Sequence, residues 1–196
     1  MTERVAELTR TTKETDIICR LNLDGSGIVD VETGIGFFDH MLASLVKHAR
    51  FDLRLNCKGD LHIDDHHSVE DCALIIGNCL DNALGERKGI VRFGSAHVPL
   101  DEALCRAVVD LSGRPYPAIN LGLTRERLGE LSCENITHFF ESFAVTGRMA
   151  LHVDVLKGSH DHHRSESSFK SVAVALRQAV ARDGASDVPS TKGMLV

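Results

Sequence analysis

The sequence contains no CxxC pair: Cys19, Cys57, Cys72, Cys79, Cys105 and Cys133 are scattered, mostly within apolar runs. Disulfide frameworks and thiolate zinc clusters use tighter spacing, so these read as buried thiols in a reducing compartment. No apolar run approaches the roughly 18 to 20 residues of a membrane span. The first residues, MTERVAELTRTTKET, lack the apolar core of a secretory leader. A soluble, untargeted, cytoplasmic protein is therefore expected. Positive charge is also short. A net charge of −6 and a pI near 6.0 argue against a sequence-independent grip on nucleic acid, which requires a concentrated basic face, and leave room for local basic pockets. With 196 residues, 43% of them hydrophobic, the chain can build one substantial domain or two small repeats sharing a core.

Histidine, by contrast, is in excess. Five of the 11 histidines fall in two short clusters. Asp65-His66-His67-Ser68-Val69-Glu70 returns as Asp161-His162-His163-Arg164-Ser165-Glu166, with the same types at every coordinating position. The repeat extends further, since CRLNLDGSG (19–27) matches CRAVVDLSG (105–113), FF (37–38) matches FF (139–140), and KG (58–59) matches KG (157–158). The order is kept although the separations vary, so the chain reads as an internal duplication. Approximate halves are 1–90 and 91–185, followed by a polar tail, 186–196, that is either a disordered end or an arm over a ligand.

Alternating residues over 5–8, 17–23 and 28–31 predict a small antiparallel sheet, with a turn at Asp24-Gly25-Ser26-Gly27. Apolar residues at 37, 38, 41, 42, 45 and 46 predict a short helix, and 51–55 a further strand. Asp64 or Asp65 is expected to cap a long helix ended by Gly85. Repeating that order predicts an α+β fold of two duplicated half-domains, each a mixed or antiparallel sheet packed on two helices in two layers.

On a helix, residues i and i+4 share a face, so His66 and Glu70 can reach one ion, with His162 and Glu166 as the duplicate. His67 points about 100° away. Aligning the FF pairs sets His138 opposite Gly36, one turn from His40 on the same helix face. Six imidazoles and two carboxylates would give each of two ions three imidazoles and one carboxylate. The lack of thiolate ligands disfavours structural zinc and leaves manganese, iron, cobalt, nickel or catalytic zinc open. The positive end of a helix opposes a cation by roughly 0.3–1 kcal/mol, against about 10 kcal/mol from a multi-histidine site. Coordination wins.

The stretches TGIGFFDHML (33–42), GDLHIDDHHSVEDC (59–72), RFGSAHVPLDEAL (92–104) and DHHRSESSFK (161–170) resemble the imidazoleglycerol-phosphate dehydratase family. The resemblance runs from Arg10-Thr11-Thr12-Lys13-Glu14-Thr15 to Ser190-Thr191-Lys192-Gly193. It implies a carbon–oxygen lyase of histidine biosynthesis that dehydrates imidazole glycerol phosphate to imidazole acetol phosphate. It further implies two divalent ions per subunit, usually Mn2+, bound where subunits meet in an assembly of twenty-four chains built from trimers. The family's ligand pattern falls on His40, His66, His67, Glu70, His138, His162, His163 and Glu166. Its phosphate-holding groups fall on Arg92, Arg114, Lys170, Ser190 and Lys192, and its base on Glu14. The chain departs from the family pattern at Ser44, where many members have Gln, at Phe38, where Leu is usual, and at His160, where Asn is common. A di-metal phosphohydrolase and a non-enzymatic metal-binding assembly are the alternatives to an imidazole-directed lyase.

Overall fold

Strand alternation in the N-terminal third forms β1 (Val5–Thr11) and β2 (Thr15–Asn22), an antiparallel pair in a computed structural model that describes residues 3–195. Met1, Thr2 and Val196, the ends of the expected halves and tail, lie outside the described residues. Thr15, Ile17, Cys19 and Leu21 of β2 face inward while Asp16, Ile18 and Arg20 face out, the period-2 pattern of a sheet covered on one side. The chain then runs through β3 (Val29–Glu32), α1 (Gly36–Ala49), β4 (Asp52–Gly59) and α2 (His66–Leu84). After α2, Gly85 takes the positive φ that stops the helix.

The second half follows the same path: β5 (Phe93–Leu100), β6 (Ala103–Asp110), β7 (Tyr116–Asn120), a small hairpin of β8 (Arg127–Leu128) and β9 (Leu131–Ser132), α3 (Cys133–Thr146), β10 (Ala150–Lys157) and α4 (Asp161–Ala179). The sheet orders are β1-β2-β4-β3 and β5-β6-β10-β7, one topology used twice. The structure is α+β, with two four-stranded mixed sheets packed on helices.

The expected small antiparallel sheet needs correcting at one strand. β3 pairs with β4 in parallel, as β7 pairs with β10. The cause lies in the connection, because the chain leaves β3 through α1 before returning as β4, and a helical crossover delivers a parallel strand.

The helices pack across the halves, α1 against α4 and α2 against α3. Phe38, Phe139, Phe140 and Phe169, all essentially inaccessible, stack edge and face between them at 4.6–5.4 Å. At the α2–α3 crossing a Cβ on Gly77 would lie 2.8 Å from the Phe143 carbonyl oxygen and 2.8 Å from the Gly147 nitrogen. Only glycine permits that approach, which sets α2 against the face of α3 that carries His138.

The buried positions of the short helices also correct the alignment of the repeats. Phe38, Met41, Leu42, Ser44, Leu45 and Val46 of α1 correspond to Ile136, Phe139, Phe140, Ser142, Phe143 and Ala144 of α3 at a constant separation of 98. His40 and His138 are separated by the same 98 and are therefore equivalent. The FF pairs are a coincidental match one turn out of register, because the second phenylalanine pair occupies the Met41-Leu42 positions.

Candidate metal centre

Crosswise helix packing gathers the histidines into two clusters, each drawing on both halves. In one, His40 of α1 meets His162 and Glu166 of α4; in the other, His138 of α3 meets His66 and Glu70 of α2. In each, two ring nitrogens and one carboxylate oxygen lie within 4.8 Å of one another. His40 Nε2 and His162 Nε2 stand 3.4 and 3.2 Å from Glu166 Oε2. His138 Nε2 is 3.1 Å from Glu70 Oε1, and His66 Nε2 is 3.8 Å from Glu70 Oε2. The His66 and His138 rings stack at 5.0 Å. The i, i+4 spacing delivers a histidine and a glutamate from each long helix, and the equivalent short-helix histidine arrives from the other half. Imidazole nitrogen and carboxylate oxygen converging without thiolate suits a first-row divalent ion.

His67 and His163 stand apart from both clusters. His67 Nδ1 lies 3.1 and 3.2 Å from the Asp60 carboxylate oxygens, and its Nε2 is 3.9 Å from Glu14. His163 Nδ1 lies 2.7 Å from Glu102 Oε2, with its Nε2 3.9 Å from Asp101. The hydrogen bonds that His67 and His163 donate to Asp60 and Glu102 raise the pKa values of both imidazoles above the ordinary range. In return His163, together with the backbone N–H groups of His160 and Ser159, holds Glu102 down to about 2. Burial pushes Glu166 up, but Lys170, whose ammonium lies 2.7 Å from its carboxylate, and His40 bring it below the usual glutamate value.

Glu14 sits in the β1–β2 turn, half-exposed and near the outlying His67. Asp71 of α2 fixes that turn: it is buried, pairs with Arg10 at 2.7 Å and accepts the Thr15 hydroxyl at 2.5 Å. The tail folds over the start of β5. Arg92, Arg114, Ser190 and Lys192 line one cavity of about 590 Å³ together with Phe93. Arg92 holds this arrangement by binding Asp110 at 2.7 Å and the Pro189 carbonyl at 2.8 Å. Lys170 does not line that cavity. Its ammonium pairs with Glu166 at the first cluster instead.

The sequence model of the family described as Imidazoleglycerol-phosphate dehydratase matches residues 33–176. The chain belongs to that family. It is 62% identical to the imidazoleglycerol-phosphate dehydratase of Phytophthora nicotianae over 98% of its own length, spanning 42% of that longer protein. It is 50% identical to the Saccharomyces cerevisiae dehydratase, with both chains covered in full. Crystal structures of imidazoleglycerol-phosphate dehydratases from Staphylococcus aureus and Pyrococcus furiosus superpose with a TM-score of 0.83 each, at 32% and 33% identity. They cover 91% and 96% of this chain and 99% and 100% of theirs. The Pyrococcus protein is in complex with (S)-C348. Imidazoleglycerol-phosphate dehydratases are hydro-lyases, and the chain is a member of that enzyme class.

Sequence reasoning gave no role to several residues that shape these clusters and their surroundings. Asp60, Glu102, Asn135 and Asp71 support histidines or the Glu14 turn. Asp60 and Asp71 lie inside the motif that carries the first histidine pair, and Glu102 inside RFGSAHVPLDEAL. For Asp60 and Asp71 the available signal was a carboxylate close in sequence to the histidine pair, too common to single out, and Glu102 meets His163 across 61 residues. Asn135 had none: its Oδ1 lies 3.1 Å from His66 Nδ1, a contact across 69 residues.

Proposed function

We propose that this chain is an imidazoleglycerol-phosphate dehydratase of histidine biosynthesis, and that it dehydrates imidazole glycerol phosphate to imidazole acetol phosphate at a centre of two divalent ions, manganese in the native enzyme. The observation that carries the reading is the pair of clusters, each with two imidazoles and one glutamate drawn from both halves of the duplication. The imidazole-rich donor set favours a nitrogen-bearing substrate over the aspartate-bridged centres of di-metal phosphohydrolases.

His40, His162 and Glu166 would hold one ion, and His66, His138 and Glu70 the other. His67 and His163 complete the shells from a neighbouring copy in a large homo-oligomer of twenty-four chains. Exposed apolar side chains on the sheets, Ile18, Val108, Tyr116 and Leu156 among them, support association. When bound, divalent ions at these clusters supply Lewis acidity to the substrate's imidazole ring.

The chain's own groups do the rest. Arginine has five N–H donors, and the three contacts of Arg92 with Asp110 and Pro189 leave it donors for a phosphate in the tail cavity. Arg114, Ser190 and Lys192 line the same cavity, and Lys170 lies against Glu166 at the cluster. Glu14 is the base. It removes the proton from the carbon next to the one that loses hydroxide, and the resulting enol tautomerises to the ketone with the phosphate ester retained. No helix among the described residues is long and apolar enough to cross a membrane, and the six cysteines are buried free thiols, which supports placement in the reducing cytoplasm.

The decisive variant is Glu14→Gln. Turnover is expected to fall by roughly 100-fold or more, the usual worth of a positioned base, while bound metal measured by elemental analysis and the assembly size stay as in the wild type. Unchanged turnover in the variant would remove Glu14 from the mechanism, whereas no turnover by the metal-loaded wild type would favour a non-enzymatic metal-binding assembly.

A further inference from the structure

We propose that Asp60 and Glu102 are positioning residues that lock the outlying His67 and His163 in one tautomer and aim each Nε2 outward as a metal donor. This rests on the metal reading of the site. A carboxylate accepts hydrogen bonds and donates none when ionised. The contacts at 3.1 Å (Asp60) and 2.7 Å (Glu102) therefore place the proton on Nδ1 of each ring and leave the Nε2 lone pair free. The side chains of His67 and His163 are 32% and 29% exposed, so packing holds each ring without telling its two nitrogens apart, and a directional bond must select which of them carries the proton.

The duplication supplies an independent argument. Carrying Lys58-Gly59 onto Lys157-Gly158 makes Ser159 the counterpart of Asp60, and Ser159 offers no carboxylate. Glu102 instead comes from the β5–β6 turn, whose counterpart in the first half is the β1–β2 turn bearing Glu14. Inheritance from a common half would have put the two acceptors at matching positions. They reach the same ring atom from different loops, which is the mark of a requirement met twice. Asp60 is the cleaner of the two. Among the described contacts its carboxylate hydrogen-bonds His67 alone, whereas Glu102 also accepts the N–H groups of Ser159 and His160.

The test is manganese(II) affinity of the intact protein, measured by competition with a chelating dye. Asp60→Ala is expected to weaken binding about 10- to 100-fold, the usual effect of removing a carboxylate behind a ligating histidine. Asp60→Asn, whose amide oxygen still accepts from Nδ1–H, is expected to recover most of that loss. The double variant Asp60→Ala/His67→Ala is expected to bind no more weakly than His67→Ala, because a residue that acts through another adds nothing once that other is gone. The same cycle applies to Glu102 and His163, with Glu102→Gln as the rescue variant that preserves the backbone acceptor. Wild-type affinity in Asp60→Ala alongside weak binding in His67→Ala would overturn the inference and leave the ligand reading standing, and so would full additivity in the double variant. Wild-type affinity in His67→Ala would overturn both.

Discussion

The aspartates that open the two DHH motifs work as clamps. Asp64 or Asp65 was expected to cap α2; Asp64 Oδ1 accepts the His66 N–H at 2.9 Å, whereas the Asp65 carboxylate turns away from its own helix to accept the Ser132 N–H and hydroxyl, both at 2.7 Å. Asp161 accepts the N–H groups of Thr124 and Arg125 at 2.9 and 2.7 Å. Each fastens a metal motif to the loop approaching α3. Burial pushes both carboxyls up, but these donors, with Asn135 beside Asp65 and Arg164 beside Asp161, outweigh it and lower both pKa values. A depressed folded pKa means that the stabilisation is present above the ordinary aspartate value of 3.8 and is lost as pH falls through the folded value. Asp65→Ala should cost about 1–3 kcal/mol at neutral pH, since it strands buried donors. The difference from wild type should shrink as denaturant unfolding is repeated toward pH 3. A pH-independent difference would show that the charge is irrelevant. At this scale the sequence was legible where spacing on one helix decided the matter, as for His66 with Glu70. It was illegible where partners lie 67 or 69 residues apart, as for Asp65 with Ser132 and His66 with Asn135.

At the level of elements, α2 serves two purposes. Its first turn carries His66, His67 and Glu70, and one residue later Asp71 holds the β1–β2 turn through Arg10 and Thr15. The turn that carries Glu14 and the helix that carries His66, His67 and Glu70 are thereby one mechanical unit, tightened where the Asp60 N–H donates to the Glu14 carbonyl at 3.1 Å. Asp71→Ala should free that turn. Misplacing a catalytic group by about 1 Å can cost as much as roughly 100-fold, so kcat is expected to fall by 10- to 100-fold with manganese content unchanged. Loss of metal in step with kcat would show instead that Asp71 supports the ligands. Element identities followed from period and composition, because the buried stripes of the long helices repeat cleanly. The parallel pairing of β3 was missed since pairing partner and direction are properties of the connection. The register of the short helices was missed because identical letters, the two FF pairs, outweighed the burial pattern.

For the whole molecule, the duplication explains why the site is built as it is. One half supplies a histidine and a glutamate from its long helix and a histidine from its short helix, but to different clusters, so neither cluster can form without both halves. This composite character was readable from the repeated motif. Its crosswise assignment was not, because it depends on α1 meeting α4 and α2 meeting α3. If His67 and His163 reach clusters in neighbouring copies, metal and assembly are coupled. His162→Ala, or chelation of the wild type, should then release metal and reduce the particle to smaller rings by light scattering, with re-addition of manganese reversing the chelated case. An assembly of unchanged size after complete metal removal would separate the two.

The proposed activity is dehydration of imidazole glycerol phosphate at this composite centre. Its most direct measurement follows that substrate with purified protein carrying a known number of bound ions, reading ketone and inorganic phosphate in the same reaction. Ketone is expected to form with the phosphate ester retained, at a rate that rises with metal to two ions per chain and vanishes in the stripped protein. Release of phosphate, or full turnover by the metal-free chain, would contradict it.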